Sequence, residues 1–182
     1  MSLNKVIFLD RDGVINYESD GFIKSPEEWL PIPSSLEAIA KLSKAHFTLF
    51  IVTNQSGVGR GLFDLKALEK IHHKMLTEIT QTGGKIEKIY FCPHKPEDNC
   101  SCRKPKPGLY QQAAKEYKID FSTSYVIGDS LRDIQSGLAI QAKTILVLTG
   151  NGEITAKSYK KELSQTLLAE NLDIAADYLL NH

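Results

Sequence analysis

Five short apolar runs, separated by longer stretches with helical spacing, constrain the fold of this chain more than any other feature. The runs occupy residues 6–9, 47–52, 86–91, 125–127 and 144–148. They are rich in β-branched and aromatic residues and do not alternate with polar ones, which is typical of strands buried on both faces of a parallel sheet. The sequence therefore predicts an α/β, doubly wound (Rossmann-like) fold with a mainly parallel sheet and helices on both faces.

The stretches between the runs predict the helices. Leu36, Ile39 and Leu42 follow helical spacing, and Asp64 is expected to cap a longer helix that continues to about Ile79. Further helices are expected at 107–118, 130–141 and 175–180. A length of 182 residues and the absence of a linker predict one domain over residues 1–182.

The charge balance argues against two large function classes. Twenty-two Lys plus Arg residues match 22 Asp plus Glu residues, so the formal net charge is zero. A neutral chain is not typical of a non-specific nucleic-acid binder or of a polybasic membrane-surface protein. The first apolar run is too short for a signal peptide or a membrane span. We expect a cytoplasmic monomer with neither a nucleic-acid nor a membrane partner.

Two carboxylates follow the first predicted strand directly, in the sequence Asp10-Arg11-Asp12-Gly13-Val14. Residues two apart after a strand can face the same crevice, and the glycine permits a turn. Carboxylates this close repel each other unless a cation or a phosphoryl group lies between them. Ordinary turns and calcium loops share the pattern, but Glu18 stands at the wrong offset for an EF-hand ligand.

Polar groups also follow the later strands. The residues after the second strand suit a phosphate cradle. They carry hydroxyl or amide side chains and then a glycine-rich turn: Thr53, Asn54, Gln55, Ser56 and residues 57–61. Arg103 and Lys104 follow the third strand and its loop, and Asp129 follows the fourth. Asp129 is a suitable ligand for Mg²⁺. Since ligands bind at the carboxyl ends of parallel strands, these groups are predicted to meet there.

All three cysteines share one loop with a histidine. Cys92, His94, Cys100 and Cys102 form Cys-x-His followed by Cys-x-Cys. Three thiolates and one imidazole complete a tetrahedral Zn²⁺ shell without an open position, which is typical of a structural site. Unrelated buried thiols are the alternative, and a disulfide would leave one thiol over. The sequence predicts a zinc ion that staples residues 92–106.

These motifs resemble, in their order, the four motifs of the haloacid dehalogenase superfamily of phosphatases. The matching positions are the pentapeptide at 10–14, Thr53, Lys104, and Gly128-Asp129 followed by Asp133, so the resemblance covers residues 6–135. The segments 53–61, 92–94 and 102–105 resemble more narrowly the branch that contains heptose-bisphosphate and histidinol-phosphate phosphatases.

The resemblance implies covalent catalysis of phosphate-ester hydrolysis. Asp10 would be the nucleophile, and Asp12 would act first as general acid and then as general base. Thr53 would bond a phosphoryl oxygen. Lys104 would neutralise the transferring group, with Lys106 as the rival for that role.

The resemblance also implies a cofactor and a substrate. Mg²⁺ would be held by the Asp10 carboxylate, the Asp12 backbone carbonyl and Asp129, while Asp133 would support Lys104 or the outer shell of the metal. The substrate would be a phosphorylated sugar, namely a heptose 1,7-bisphosphate that loses its 7-phosphate, as in lipopolysaccharide precursor synthesis. The expected substrate contacts are Asn54, Gln55, Ser56 and Arg103.

Three alternatives stay open. Histidinol phosphate is the rival substrate, and related nucleic-acid 3′-phosphatases share the Thr-Asn-Gln and Gly-Arg-Gly patterns. A silent phosphate-binding module is disfavoured because a pure binder has no use for a second carboxylate at Asp12. Arg103 favours a bisphosphate, since its planar donors can grip a second phosphate. Ser130, however, stands where many heptose-bisphosphate phosphatases carry lysine.

Overall fold

Six parallel strands form one sheet in the structure, a computed structural model that describes residues 5–182. The first four residues of the expected domain lie outside the described part. The strands are β1 (Val6–Leu9), β2 (Thr48–Asn54), β3 (Lys88–Cys92), β4 (Tyr125–Gly128), β5 (Lys143–Val147) and β6 (Leu167–Ala169). Their order is β3-β2-β1-β4-β5-β6. The predicted α/β fold with a parallel sheet is confirmed.

Helices connect the strands. They are α1 (Pro33–Lys44), α2 (Ser56–Gly59), α3 (Leu65–Gln81), α4 (Gly108–Tyr117), α5 (Leu131–Ala139), α6 (Gly152–Ser158) and α7 (Leu172–Asn181). The predicted cap of α3 is confirmed, because Asp64 Oδ1 accepts a hydrogen bond from the Ala67 amide at 2.7 Å. Among residues 5–182, no helix has the length and apolarity to cross a bilayer.

Alternate residues of each central strand face two separate apolar layers. In β1, Ile7 and Leu9 belong to the layer with α1, α3 and α7, whereas Val6 and Phe8 belong to the layer with α4. Burial on both faces explains why the β1 run lacks polar alternation. Trp29, fully buried, joins the first layer and anchors the long loop between β1 and α1.

Four elements differ from the sequence prediction. β2 continues through Thr53 and Asn54, so these residues end the strand rather than follow it. Residues 57–59, predicted as part of a glycine-rich turn, belong to the short helix α2. β6 and α6 were not predicted. β6 has only three residues and lies at the sheet edge with Leu168 half exposed, so it carries too short an apolar pattern to be recognised.

The strand order reverses at β1, which lies between β2 and β4. In doubly wound sheets the crevice beyond the carboxyl ends at such a switch point is where ligands bind. Asp10 marks this point, since its amide donates a hydrogen bond to the Ile127 carbonyl of β4 at 2.9 Å. The carboxyl ends of β1, β2 and β4 therefore meet at one edge of the sheet.

Candidate active site

A buried ammonium group lies beside the first strand-end carboxylate. Lys104 Nζ is 3.0 Å from Asp10 Oδ1 and 2.6 Å from Asp133 Oδ1, and it donates a hydrogen bond to the Val52 carbonyl at 2.7 Å. Lys104 is only 3% exposed. The rival Lys106 instead reaches the backbone carbonyl of Asn99 at 3.0 Å, so Lys104 is the lysine next to Asp10.

The charges in this group determine its protonation. Burial opposes a charge on Lys104, but the carboxylates of Asp10 and Asp133 outweigh it and raise the lysine pKa above its usual range. Burial likewise opposes ionisation of Asp133, yet Lys104 and the bonds from Ser130 bring the pKa of Asp133 below its usual value. Burial raises the pKa of Asp10 to about 6. Two carboxylates thus share one ammonium.

Ser130 orients Asp133 towards Lys104. The Ser130 amide and hydroxyl donate to Asp133 Oδ2 at 3.1 and 2.5 Å, a capping box at the start of α5. Gly128 makes room for this arrangement, because a Cβ atom there would lie 2.2 Å from the Asp133 side chain. Ser130 stands where many heptose-bisphosphate phosphatases carry lysine, and here it holds Asp133 in position to pair with Lys104.

The second carboxylate of the first motif is held by three side chains. Asp12 Oδ1 lies 2.9 Å from Arg11 Nη2 and 2.9 Å from Asn16 Nδ2, and Asp12 Oδ2 accepts from Gln55 Nε2 at 2.9 Å. Burial opposes ionisation of Asp12, but the Arg11 charge and these hydrogen bonds lower its pKa below the usual value. Sequence reasoning gave Arg11 no role, since nothing in the motif shows where its side chain points.

The end of β2 brings its polar side chains to the cavity. Asn54, predicted to contact substrate, lines the cavity, and both atoms of its amide also bond the Lys104 backbone: Nδ2 donates to the carbonyl at 3.2 Å and Oδ1 accepts from the amide at 3.1 Å. Gln55 Nε2 also donates to Thr53 Oγ1 at 2.9 Å. The side chains of Asn54, Gln55 and Thr53 are thus tied to other site residues, and Asn54, Gln55 and Ser56 line the cavity.

A cluster of carboxylates fits a hard cation. Oxygen atoms of Asp10, Asp129 and Asp133 lie within 4.8 Å of one another. Burial, together with the charges of Asp10 and Asp133, raises the pKa of Asp129 to about 8. Asp129 Oδ2 accepts from the Asn151 amide at 2.8 Å, and Gly13 allows the close approach, with φ +78° and a would-be Cβ 2.2 Å from Asp129. Crowded oxygen donors of this kind are what Mg²⁺ prefers.

A cavity of about 380 Å³ opens next to Asp12, and Glu18 is among its lining residues. Four arginines also line it: Arg11, which is paired with Asp12, and Arg60, Arg103 and Arg132 from separate segments. Burial and the charge of Arg132 lower the pKa of Arg103, because neighbouring cations disfavour each other's charged form. Sequence reasoning identified only Arg103. Arg60 was visible within the Gly-Arg-Gly pattern, and Arg132 within the fourth motif.

The predicted zinc ligands also come together. The three pairs of sulfur atoms among Cys92, Cys100 and Cys102 are 3.3–3.5 Å apart, and His94 Nδ1 is 3.3 Å from Cys102 Sγ and 3.6 Å from Cys92 Sγ. The edges of a tetrahedron with metal–sulfur bonds of about 2.3 Å measure about 3.8 Å. The cysteines are free thiols, so these four side chains form a group that could hold a metal ion.

Comparisons with known proteins agree with this geometry. A family model described as HAD-hydrolase-like matches residues 101–175. The D-glycero-β-D-manno-heptose-1,7-bisphosphate 7-phosphatase of Bordetella bronchiseptica is 46% identical over 173 residues, 95% of this chain and 93% of that protein. The protein of the same name from Pseudomonas aeruginosa is 44% identical over 176 residues, 96% of this chain and 97% of that protein.

Solved structures show the same similarity. The crystal structure of the B. bronchiseptica D,D-heptose 1,7-bisphosphate phosphatase, complexed with magnesium and phosphate, has a TM-score of 0.94 and 46% identity, covering 97% of this chain and 98% of that one. The corresponding enzyme of Burkholderia thailandensis has a TM-score of 0.78 and 37% identity, covering 98% and 99%. The chain is therefore a phosphatase of the haloacid dehalogenase-like (HAD-like) class. Within that class it belongs to the family of the D-glycero-β-D-manno-heptose-1,7-bisphosphate 7-phosphatases.

Proposed function

We propose that this protein hydrolyses the 7-phosphate of D-glycero-β-D-manno-heptose 1,7-bisphosphate through a phosphoaspartate at Asp10. The observation that carries the proposal is the buried Lys104 ammonium, 3.0 Å from the Asp10 carboxylate, beside a cavity lined by four arginines. The sugar is supported by relatives that carry this activity in their names at 44–46% identity.

The chemistry divides into two displacements at phosphorus. In the first, an Asp10 oxygen bonds to phosphorus while the bond to the sugar oxygen breaks, and Asp12 delivers a proton to that oxygen. In the second, water attacks the phosphorus, Asp12 takes a proton from the water, and the bond to Asp10 breaks to release phosphate. Lys104 offsets the negative charge on the transferring group in both steps.

Thr53 is suited to contact the phosphoryl group. Its Oγ1 accepts the hydrogen bond from Gln55, which leaves the hydroxyl hydrogen to point at a phosphoryl oxygen. Ser56 stays a proposed phosphate contact at the start of α2. Asn54 acts by bonding the backbone of Lys104 on both sides.

The donor sets fit two metal ions. The carboxylates of Asp10 and Asp129 and the Asp12 backbone carbonyl would hold Mg²⁺, which supplies positive charge between the nucleophile and the phosphate anion. Cys92, His94, Cys100 and Cys102 would hold Zn²⁺ in a closed structural shell.

The arginine cluster favours a substrate with a second anion. Arg60, Arg103 and Arg132 line one cavity with Asp12, so their mutual repulsion is relieved when a phosphate lies among them. A cationic substrate such as histidinol phosphate would place a positive charge near the same cluster. The 1-phosphate of a sugar bisphosphate would instead bind there and orient the 7-phosphate for attack.

A panel of phosphorylated metabolites assayed with Mg²⁺ tests the assignment. The heptose 1,7-bisphosphate should show the highest kcat/KM, above heptose 7-phosphate and above histidinol phosphate. The matched pair of bisphosphate and monophosphate isolates the contribution of the second phosphate. Faster turnover of histidinol phosphate, or no Mg²⁺-dependent phosphate release from any compound, would contradict the proposal.

We infer further that residues 1–182 form one domain that acts as a monomer in the cytoplasm on this small substrate, without a nucleic-acid or membrane partner. One continuous sheet that spans β1 to β6 supports the single domain. Three free thiols support a reducing compartment. Sedimentation of the purified chain at a mass near 20.3 kDa would agree with a monomer.

A further inference from the structure

A buried guanidinium lies between the two motif carboxylates in the chain. Arg11 is 1% exposed, although burying a charged group is costly unless it is paired and hydrogen-bonded. The reaction proposed above uses Asp10 and Asp12 but gives Arg11 no task. Its burial therefore needs a separate explanation.

Every side-chain hydrogen bond that the described residues show for Arg11 ends on Asp12 or Gln55. Arg11 Nε and Nη2 donate to Asp12 Oδ1 at 3.1 and 2.9 Å, and Nη2 also reaches Asp12 Oδ2 at 3.0 Å. The same Nη2 donates to Gln55 Oε1 at 3.1 Å. The guanidinium thus engages both carboxylate oxygens and one amide, a geometry that a lysine cannot reproduce.

Gln55 completes the arrangement. Its Nε2 donates to Asp12 Oδ2 and to Thr53 Oγ1, both at 2.9 Å, while its Oε1 accepts from Arg11. The side chain of Asp12 is still 21% exposed and lines the cavity. Hydrogen bonds from Arg11 and Gln55 therefore fix the Asp12 carboxylate, and its remaining side is open to the cavity where a substrate would enter.

We propose that Arg11 and Gln55 are positioning residues that aim the Asp12 carboxylate at the leaving-group oxygen and couple its position to Thr53. This inference rests on the proposed function, in which Asp12 transfers the proton and Thr53 contacts the phosphoryl group. A displaced Asp12 would still allow attack by Asp10 but would protonate the departing oxygen poorly. The defect should then depend on how much the leaving group needs a proton.

Two substrates with opposite needs test this. The departing oxygen of a sugar phosphate is a poor leaving group without a proton, whereas p-nitrophenolate leaves readily without one. Gln55→Leu keeps the approximate volume of the side chain and removes all three of its hydrogen bonds. It should lower the single-turnover rate of leaving-group release from the heptose bisphosphate by about tenfold or more, with KM changed by less than about threefold. The same rate for p-nitrophenyl phosphate should fall by less than about threefold, since that first displacement depends little on the acid. Single-turnover release is measured because the second displacement, in which Asp12 activates water, is common to both substrates.

Further variants keep the result interpretable. Arg11→Lys retains the charge but loses the planar set of N–H donors that reaches both Asp12 oxygens and Gln55. It should show the same substrate-dependent loss of rate. Gln112→Leu makes the same exchange on the exposed face of α4 and should leave both substrates unaffected. In the same single-turnover measurement, Asp12→Asn should lose more on the sugar bisphosphate than on the aryl phosphate, which verifies the acid role itself.

The outcomes separate the two ideas. Equal losses on both substrates for Gln55→Leu and Arg11→Lys would show a merely structural role and overturn the inference. A raised KM with unchanged kcat would make Gln55 a substrate contact and would overturn it as well. If Asp12→Asn shows no substrate dependence, the acid role in the proposed function is wrong, whatever Gln55→Leu does.

Discussion

The carboxylate–lysine cluster of Asp10, Lys104 and Asp133 and the cysteine–histidine loop of residues 92–102 adjoin in the structure but are held in place by different means. In the cluster, Asp10 follows β1, Lys104 lies between β3 and α4, and Asp133 lies on α5; Lys104 and Asp133 are 3% and 1% exposed. In the loop, Cys92 is fully buried, His94 is exposed, and residues 96–99 are exposed too. Lys104 and Asp133 are thus buried by the surrounding fold, whereas the loop packs on an apolar layer through its cysteines and leaves much of the rest of its length exposed.

The difference separates chemistry from support. The chain passes directly from Cys102 to Arg103 and Lys104, so the loop carries the lysine of the cluster and one arginine of the cavity. A change in the cluster should alter the reaction and leave the loop intact. A change in the loop should alter metal content and stability first, and activity through Lys104.

Asp10→Asn should have the largest effect on activity. An amide cannot form the acyl phosphate, so we expect a loss of more than about a thousandfold in kcat, comparable to removing the nucleophile in other covalent enzymes. The fold and the metal content of the loop should stay as in the wild type. Activity assays with metal analysis of the same sample check both; a variant that keeps a tenth of the activity would contradict covalent catalysis at Asp10.

Cys102→Ser should have the largest effect on metal content. The wild type should copurify with about one zinc ion per chain, because a closed four-ligand site binds zinc tightly. Zinc binding contributes about 10–16 kcal/mol in structural sites, so losing one of the four ligands should weaken zinc binding and lower Tm. Wild-type protein that contains no zinc when freshly purified would rule out the zinc site and leave the cysteines as unrelated thiols.

Arg103→Ala should change selectivity without changing metal content. Loss of a charge-assisted hydrogen bond costs about 1.5–3 kcal/mol, so kcat/KM for the heptose bisphosphate should fall by about one to two decades. Monophosphates should be affected much less. Steady-state kinetics on the bisphosphate and the 7-monophosphate give the comparison, and equal losses on the two would place the second phosphate away from Arg103.

The smallest expected effect concerns a buried histidine on α3 that packs against β3. His72 on α3 is 8% exposed and lies edge-on to Phe91 with 5.8 Å between ring centroids. Burial, assisted by the Arg11 charge, lowers the pKa of His72 from 6.5 to about 3. The unfolded chain therefore binds a proton below about pH 6.5 that the folded protein does not, and stability falls as the pH decreases towards 3.

His72→Leu should remove this pH dependence. Between pH 7 and pH 5 the wild type should lose about 2 kcal/mol of unfolding free energy relative to the variant. Urea unfolding at both pH values measures the difference. His73→Leu, at a position exposed on the same helix, is the matched control and should leave the slope unchanged. An equal slope in His72→Leu and the wild type would mean that His72 is protonated in the folded protein.

Features set by residues close together in the sequence were predictable. An apolar run that ends in Asp10-Arg11-Asp12 predicts both a buried strand and carboxylates at its end, because burial and strand period are local properties. The spacing of Cys92, His94, Cys100 and Cys102 predicts a four-ligand set in the same way. The short edge strand β6 was missed because its three residues carry too little periodicity.

Partners far apart in sequence were not predictable. Asn54 and Lys104 are 50 residues apart and form two hydrogen bonds only because β2 lies beside the strand that leads into the cysteine loop. Arg60, Arg103 and Arg132 come from three separate segments, at the end of α2, after the cysteine loop and at the start of α5, and no local pattern indicates that they line one cavity. Where a side chain points depends on strand order, register and packing, which are long-range contacts.

The local sequence, through the spacing of apolar, acidic and thiol residues, thus determines which elements form and which chemistry they carry to the sheet edge. The strand order around β1 determines which charges are buried together, and with them the altered pKa values of Asp10 and Asp129 and the pairing of Arg11 with Asp12. A charge acquires its pKa and its partner from the groups packed around it, and those groups come together only when distant segments fold onto one another.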